Sequence, residues 1–391
     1  MIIQIDGVGT VNKGAELLLF AILQEIEKRY PSATIVYNDS TFMESNQQAS
    51  YFHSKLRIEK PFYMRPYFTS FLRRFHVFGI FERFFPQVDL IKTLNSFYSP
   101  HVDVLLNAAG YLFSDKFNLG QIYVNNLKSK LSKLKDQHVQ IIYLPQAFGP
   151  IEKKGTKDAV KVLNSYADLV FAREKSSYEY LIREGFNLDK LFLYPDFTSL
   201  VKGICPSQYL YLKAYVCLIP NMKMVEKGLA SYDEYMCFWQ NVIEIAHKNG
   251  KKTFVLNHEG RGDAKICKEI SRRFGIPLVS GLNAIDTKGV ISESYLVISS
   301  RFHGVASALS SHVPCLATSW SHKYELLFND YKQSDCILNI SSTEKNEERI
   351  TKLLNIKENQ CCRDNLCSQA EKNRLLSQNM WNIVWNKIEK K

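Results

Sequence analysis

No stretch of the 391 residues approaches the roughly 20 consecutive apolar positions of a membrane-spanning helix. The opening Met1-Ile2-Ile3-Gln4-Ile5-Asp6 lacks the basic head and long apolar core of a signal peptide and reads as a first strand. Cysteine is present without a framework. Cys205, Cys217, Cys237, Cys267, Cys315, Cys336, Cys361, Cys362 and Cys367 are odd in number, scattered and free of any CxxC pair. That pattern excludes a disulfide scaffold and argues against a zinc site, leaving reduced thiols of a cytosolic protein as the expectation. Neither GxGxxG nor GxxxxGK[ST] occurs, so no nucleotide fingerprint is supported, and no ligand cluster with metal spacing stands out. Lysine and arginine are spread along the chain rather than clustered, which counts against a nucleic-acid or generic polyanion binder.

What is present is a globular composition with a basic balance. Hydrophobic residues make up 46% and charged residues 23%, which is enough apolar material for a core and excludes disorder as the default. The formal net charge of +11 calls for an anionic partner but leaves nucleic acid, lipid headgroup and phosphorylated metabolite all open. The length suits two domains.

The recurring pattern is a short β-branched or apolar run, a turn, then a segment of helical period, which marks parallel sheets with crossover helices. Strands are expected at 2–5, 34–37, 102–107, 140–144, 169–172 and 191–194, then at 215–219, 253–257, 278–280, 296–299 and 315–318. This count fits two successive α/β units, 1–202 and 203–391, joined near Ser199 to Ser207. The final helical segment, 368–391, is expected to pack back across the first unit.

Residues 62–85 break the rhythm. Phe68, Phe71, Phe75, Phe78 and Phe85 recur at helical steps, and Arg73, Arg74 and Arg83 fall elsewhere around the same helix. An insert at about 60–95 with its aromatics in the core is one reading. An aromatic and basic face resting on anionic lipid headgroups is the other.

In doubly wound sheets ligands sit beyond the carboxyl ends of strands, where helix N-termini present backbone donors. The strongest such end is Leu296-Val297-Ile298-Ser299-Ser300-Arg301-Phe302-His303-Gly304, which sets a guanidinium and an imidazole at a helix start. A planar guanidinium pairs with phosphate or carboxylate at two points, which lysine cannot do. Arg173 holds the analogous place after Leu169-Val170-Phe171-Ala172, so one arginine from each half can face a shared cleft. Against this stands a plain role for each, with Arg301 bridging to a carboxylate, His303 meeting backbone and Arg173 a charge at a helix start. Asn12 and Lys13, in the glycine-bearing loop after the first strand, suit acceptor or anion contact. Gln146 and His258, at further strand ends, are polar candidates for the same pocket, and Lys323 can reach the anion held by Arg301.

Taken in order, Asn12-Lys13-Gly14-Ala15-Glu16, Ala108-Ala109-Gly110, Gln146 with Gly149-Pro150, Arg173-Glu174 with Ser177, Pro195-Asp196, Arg301-Phe302-His303 and Val313-Pro314 with Lys323 resemble the polysaccharide pyruvyltransferase family. The resemblance covers most of the chain. It implies a GT-B-like fold of two Rossmann-like domains facing a central cleft. It also implies transfer of the enolpyruvyl unit of phosphoenolpyruvate onto sugar hydroxyls as a pyruvate ketal, in bacterial surface polysaccharide synthesis. Arg173, Arg301 and His303 would carry the donor, with His303 as proton donor. Gln146, His258 and Lys323 would join them, and Asn12, Lys13 and Asp115 would serve the acceptor. No metal or cofactor is implied beyond phosphoenolpyruvate as co-substrate. The partner would be a glycan or lipid-linked oligosaccharide, met in the cytoplasm or at the inner face of the membrane, with no nucleic acid. A GT-B glycosyltransferase using a nucleotide sugar and a non-catalytic polyanion- or membrane-binding protein remain the rival readings.

Overall fold

The computed structural model describes residues 1–9, 12–37, 57–59, 101–319, 323–333 and 335–390. The aromatic and basic segment expected at about 60–95 lies outside them. Among the described residues, thirteen strands form two sheets in which every pair is parallel.

The first sheet comprises β1 (Ile2–Asp6), β2 (Thr34–Tyr37), β3 (Arg57–Glu59), β4 (Val104–Asn107), β5 (Gln140–Gln146), β6 (Leu169–Ala172) and β7 (Leu191–Leu193), in the order β3-β2-β1-β4-β5-β6-β7. The second comprises β8 (Val216–Ile219), β9 (Thr253–Leu256), β10 (Leu278–Val279), β11 (Leu296–Ser299), β12 (Cys315–Thr318) and β13 (Ile337–Leu338), in the order β10-β9-β8-β11-β12-β13. The second follows the 3-2-1-4-5-6 order of Rossmann sheets, and the first follows the same order with β7 added at its edge. Each therefore has a switch point, between β1 and β4 in the first and between β8 and β11 in the second, where the chain direction of winding reverses and a crevice opens. The sequence pattern anticipated eleven of these strands. The two it missed, β3 and β13, are edge strands of three and two residues.

Around the first sheet lie α1 (Lys13–Arg29), α2 (Gln121–Asp136), α3 (Lys154–Tyr166) and α4 (Lys175–Arg183). The second carries α5 (Lys223–Glu226), α6 (Tyr232–Lys248), α7 (Gly260–Phe274), α8 (Ala284–Ser292), α9 (Phe302–Ser310), α10 (Lys323–Asp330) and α11 (Thr343–Leu354), and the chain ends in α12 (Ile356–Glu389). The strands read as apolar runs because both faces are covered. β4, β6, β8, β9, β11 and β12 are buried at every position.

Two elements tie the sheets together. Along α12, Leu366 and Ala370 join the core of the second sheet, while Met380, Trp381, Val384, Trp385 and Ile388 join that of the first. Trp381 and Trp385 stack at 4.8 Å, and burying side chains of this size contributes roughly 1.5–3 kcal/mol each. From α8, the buried Lys288 ammonium donates to the Thr198 carbonyl at 2.9 Å, just beyond β7. Glu16 of α1 lies beside Ala284, at the start of α8. With both sheets anchored to the same helices, their switch points are held facing one another.

Candidate active site

The loops at both switch points open into one cleft of about 1120 Å³. The first lobe supplies Asn12, Ala15, Ala108, Ala109, Gly110, Tyr111 and Arg173, and the second supplies Asn221, Lys223, His258, Glu259, Arg301, Phe302, His303, Lys323 and Tyr324.

The turn from β11 into α9 is built to hold Arg301 and His303 still. The Ser299 hydroxyl accepts from the Arg301 N–H at 3.0 Å and donates to its carbonyl at 2.9 Å. The Ser300 carbonyl accepts from Asn221 Nδ2 at 2.9 Å and the Tyr324 hydroxyl at 2.8 Å, and the Ser300 hydroxyl sits 2.6 Å from both Tyr235 Oη and Thr318 Oγ1. Every group in this network is buried and satisfied, which fixes the backbone of the residue before Arg301. Helix α9 also starts tight against its strand. A Cβ on Gly304 would meet Ser299 Oγ at 2.6 Å, so only glycine fits there.

Arg301 itself is gripped from α7. Its Nε donates to Asp263 Oδ2 at 2.6 Å, its Nη2 lies 2.5 Å from the same oxygen, and its Nη1 pairs with Glu259. Burial lowers the guanidinium pKa and pushes the Asp263 carboxyl up to about 7, while the Met222 N–H pulls Asp263 back down. We take the pair as ionised, because a two-point guanidinium contact at this distance favours the carboxylate. The carboxylate bridge considered for Arg301 from sequence is thus real, and it coexists with a place on the cleft wall.

Arg173 is positioned by β5 and β6. Its N–H donates to the Gln146 carbonyl at 3.0 Å, its Nε to Glu174 Oε2 at 3.2 Å, and its Nη1 lies 3.6 Å from Asp196 Oδ2. Burial opposes its charge, but Glu174 and Asp196 outweigh burial and hold the guanidinium charged. Its Cζ lies 5.5 Å from the centroid of the Phe302 ring, a cation–π contact that joins the arginine of one lobe to the helix start of the other.

His303 lies between the arginines. Its imidazole packs on the backbone of Gly14 at the start of α1, where an added Cβ would stand 2.1 Å from Cε1. Burial, together with Arg173, Lys323 and Arg301, pushes its pKa down to about 4, and Asp196 opposes them. The ring is therefore neutral in the free protein at neutral pH. Lys323 sits 4.1 Å above the Tyr111 ring. Burial, with repulsion from Arg173 and Lys116, brings its ammonium down to about 8.

The other expected residues divide. Asn12 lines the cleft while its side-chain oxygen caps α1, accepting from Gly14 N at 2.9 Å and Ala15 N at 3.2 Å. His258 lines it from the end of β9, 4% exposed, with Nδ1 lacking a hydrogen-bond partner among the described residues. Gln146 is fully buried and is not on the cleft wall, and its backbone rather than its side chain serves Arg173. Lys13 turns to Glu16 at 2.7 Å. Asp115 lies off the cleft, accepting from the Glu152 and Lys153 N–H groups at 2.7 and 3.1 Å. Burial raises its pKa, and these bonds, with the nearby Thr156 hydroxyl, more than offset the rise. Sequence reading missed Asn221 and Lys223. They lie in the loop after β8, the first strand of its sheet, as Asn12 and Lys13 lie near the loop after β1, though at a different spacing. Among the described residues, no three His, Cys, Asp or Glu side chains gather as a metal site, and no helix is long and apolar enough to cross a membrane.

Solved structures share the architecture. The UDP-GlcNAc 2-epimerase of Neisseria meningitidis, bound to UDP-GlcNAc, matches with a TM-score of 0.63 at 13% identity, over 100% of both chains. Anabaena Alr3699/HepE in complex with UDP matches at 0.59 and 12%, again over 100% of both. The UDP-GlcNAc 2-epimerase of Methanocaldococcus jannaschii matches at 0.57 and 11%, over 92% of this chain and 94% of its own. At such identities the likeness establishes a GT-B-like fold. No curated protein matches the sequence. Residues 12–322, which include the Asn12 cap, Arg173, Arg301 and His303, match the family model for polysaccharide pyruvyl transferase, and the chain belongs to that family.

Proposed function

We propose that the cleft takes phosphoenolpyruvate and transfers its three-carbon unit to a glycan, forming a pyruvate ketal. The supporting observation is that Arg173 from one lobe and Arg301, His303 and Lys323 from the other line a single cleft where two switch points meet. In this reading the lobes divide at 202/203, and each contributes cationic groups to one small dianion or trianion.

Arg173 and Lys323 take the phosphate and carboxylate, with the N–H groups of Arg301 that Glu259 and Asp263 leave open. These contacts orient the donor and stabilise developing charge. His303, neutral when the cleft is empty, acquires a proton as the donor's negative charge arrives and then delivers it to the methylene carbon. The carbon bearing phosphate gains oxocarbenium character, and a sugar hydroxyl adds there and loses its proton to the neutral imidazole. Phosphate then leaves, taking the proton held by the imidazole, and a second hydroxyl closes the ketal and gives its proton to the neutral ring. Overall, one phosphoenolpyruvate and two hydroxyls give one ketal and inorganic phosphate. The acceptor is a free or lipid-linked glycan of a bacterial surface polysaccharide. We place the reaction in the cytoplasm or at the inner face of the membrane, with peripheral contact to anionic lipid.

The test is incubation with phosphoenolpyruvate and a panel of free and lipid-linked oligosaccharides, read by mass for the added unit and by phosphate release. Thermal shift with phosphoenolpyruvate and with UDP separates this reading from a nucleotide-sugar transferase. Stabilisation by UDP alone, with no ketal on any acceptor, would overturn it.

A further inference from the structure

The cleft is larger than its donor. At about 1120 Å³ it reaches the upper end of pockets that enclose drug-sized ligands, and a three-carbon phosphate leaves most of it unfilled. Its cationic groups also fall into two neighbourhoods. Arg173 lies over the Phe302 ring and Lys323 over the Tyr111 ring, and the two cations act on one another. Arg301 is instead tied to Glu259 and Asp263, beside Asn221 and Met222.

His258 belongs to the second neighbourhood. The charges that act on it are those of His303, Arg301 and Lys13, with Arg173 and Lys323 not among them. Its side chain lines the cleft at the end of β9, more than nine-tenths buried, yet Nδ1 has no partner among the described residues. An imidazole so placed is costly unless a ligand uses it. Burial, reinforced by its cationic neighbours, holds its pKa well below the ordinary 6.5, so the ring is neutral in the empty cleft. A neutral ring offers one donor and one acceptor. With the carboxylate of Glu259 on the same wall, the polar groups suit neighbouring hydroxyls of a neutral ligand. The facing wall of Ala15, Ala108, Ala109 and Gly110 is small and smooth enough to admit a ring.

We propose that His258, with Glu259 and Asn221, forms a pyranose subsite in which the imidazole hydrogen-bonds an acceptor hydroxyl. This rests on the pyruvyl-transfer reading and reassigns His258 from donor to acceptor. His303 then stands between the two ligands, where it reaches both the methylene carbon and the attacking hydroxyl.

The probes are phosphoenolpyruvate by calorimetry and methyl pyranosides of glucose, galactose and mannose by saturation-transfer NMR, with phosphoenolpyruvate present. At least one pyranoside should contact the wild-type protein. His258→Ala should weaken that pyranoside about tenfold, the value of one hydrogen bond to a neutral group, and leave phosphoenolpyruvate affinity within twofold. His258→Asn should restore part of the loss. Unchanged pyranoside binding in His258→Ala, loss of phosphoenolpyruvate binding in that variant, or no pyranoside contact in the wild type would each overturn the subsite. Failure of phosphoenolpyruvate to bind the wild type would instead overturn the pyruvyl-transfer reading beneath it.

Discussion

Replacing His303 by Gln while counting protons taken up on donor binding isolates the imidazole's charge state. With its pKa pushed to about 4, His303 in the free protein is protonated at pH 7 in only about one molecule in a thousand. A single negative charge about 4 Å away, at the effective dielectric of a partly buried site, favours the imidazolium by about 4 kcal/mol. That is about three pKa units, enough to bring the ring near 7. The donor carries more than one such charge, so binding should be accompanied by uptake of between about half a proton and one proton at pH 7. Calorimetric titration in several buffers of different ionisation enthalpy measures this number as a slope. His303→Gln should lower the slope by the same amount, whatever the phosphate group itself contributes. Equal slopes in wild type and variant would mean that the imidazole stays neutral beside the donor, and His303 would lose its role as proton source.

Arg173→Lys keeps the charge but loses the fork that meets Glu174, Asp196 and the donor together, and should weaken phosphoenolpyruvate binding at least tenfold by calorimetry. Gly14→Ala favours helix α1 by about 1 kcal/mol in propensity, yet its methyl would occupy the place of the His303 ring. Turnover should fall while thermal stability changes little, and full turnover would show that the ring is free to move. Tyr235→Phe strips the hydroxyl that meets Asn221 N–H and Ser300 Oγ and should cost about 1–3 kcal/mol in chemical denaturation. Lys288 is depressed by burial from 10.5 to about 8, with Asp196 opposing, so the unfolded chain binds more protons across that window. Its contribution to stability therefore rises with pH from 8 to 10.5, by roughly 3 kcal/mol, and the stability difference between wild type and Lys288→Met should follow that curve.

The parts of this site that sequence reveals are those carried by a change of period. Arg173 and Arg301 each end an apolar run and begin a helical one, so their place at strand ends could be read directly. Gln146 ends a strand too, but β5 is buried from Ile141 to Gln146, and with both faces covered no alternation says which way a side chain turns. Asp115 was expected on the acceptor side, but the backbone groups it serves, at 152 and 153, come from a loop whose return is a tertiary event. The same holds for the grip of Glu259 and Asp263 on Arg301 and for the stacking of His303 on Gly14. Each depends on partners 38 or more positions away, which no local pattern encodes. The neutral state of His303 follows from that packing and was hidden for the same reason.

The most direct measurement is a crystal structure of the protein with phosphoenolpyruvate. The account places the donor's phosphate and carboxylate within hydrogen-bond distance of Arg173 and Lys323, with its methylene carbon facing the His303 ring above Gly14. Donor density outside the cleft, or within it but touching neither Arg173 nor His303, would contradict the account.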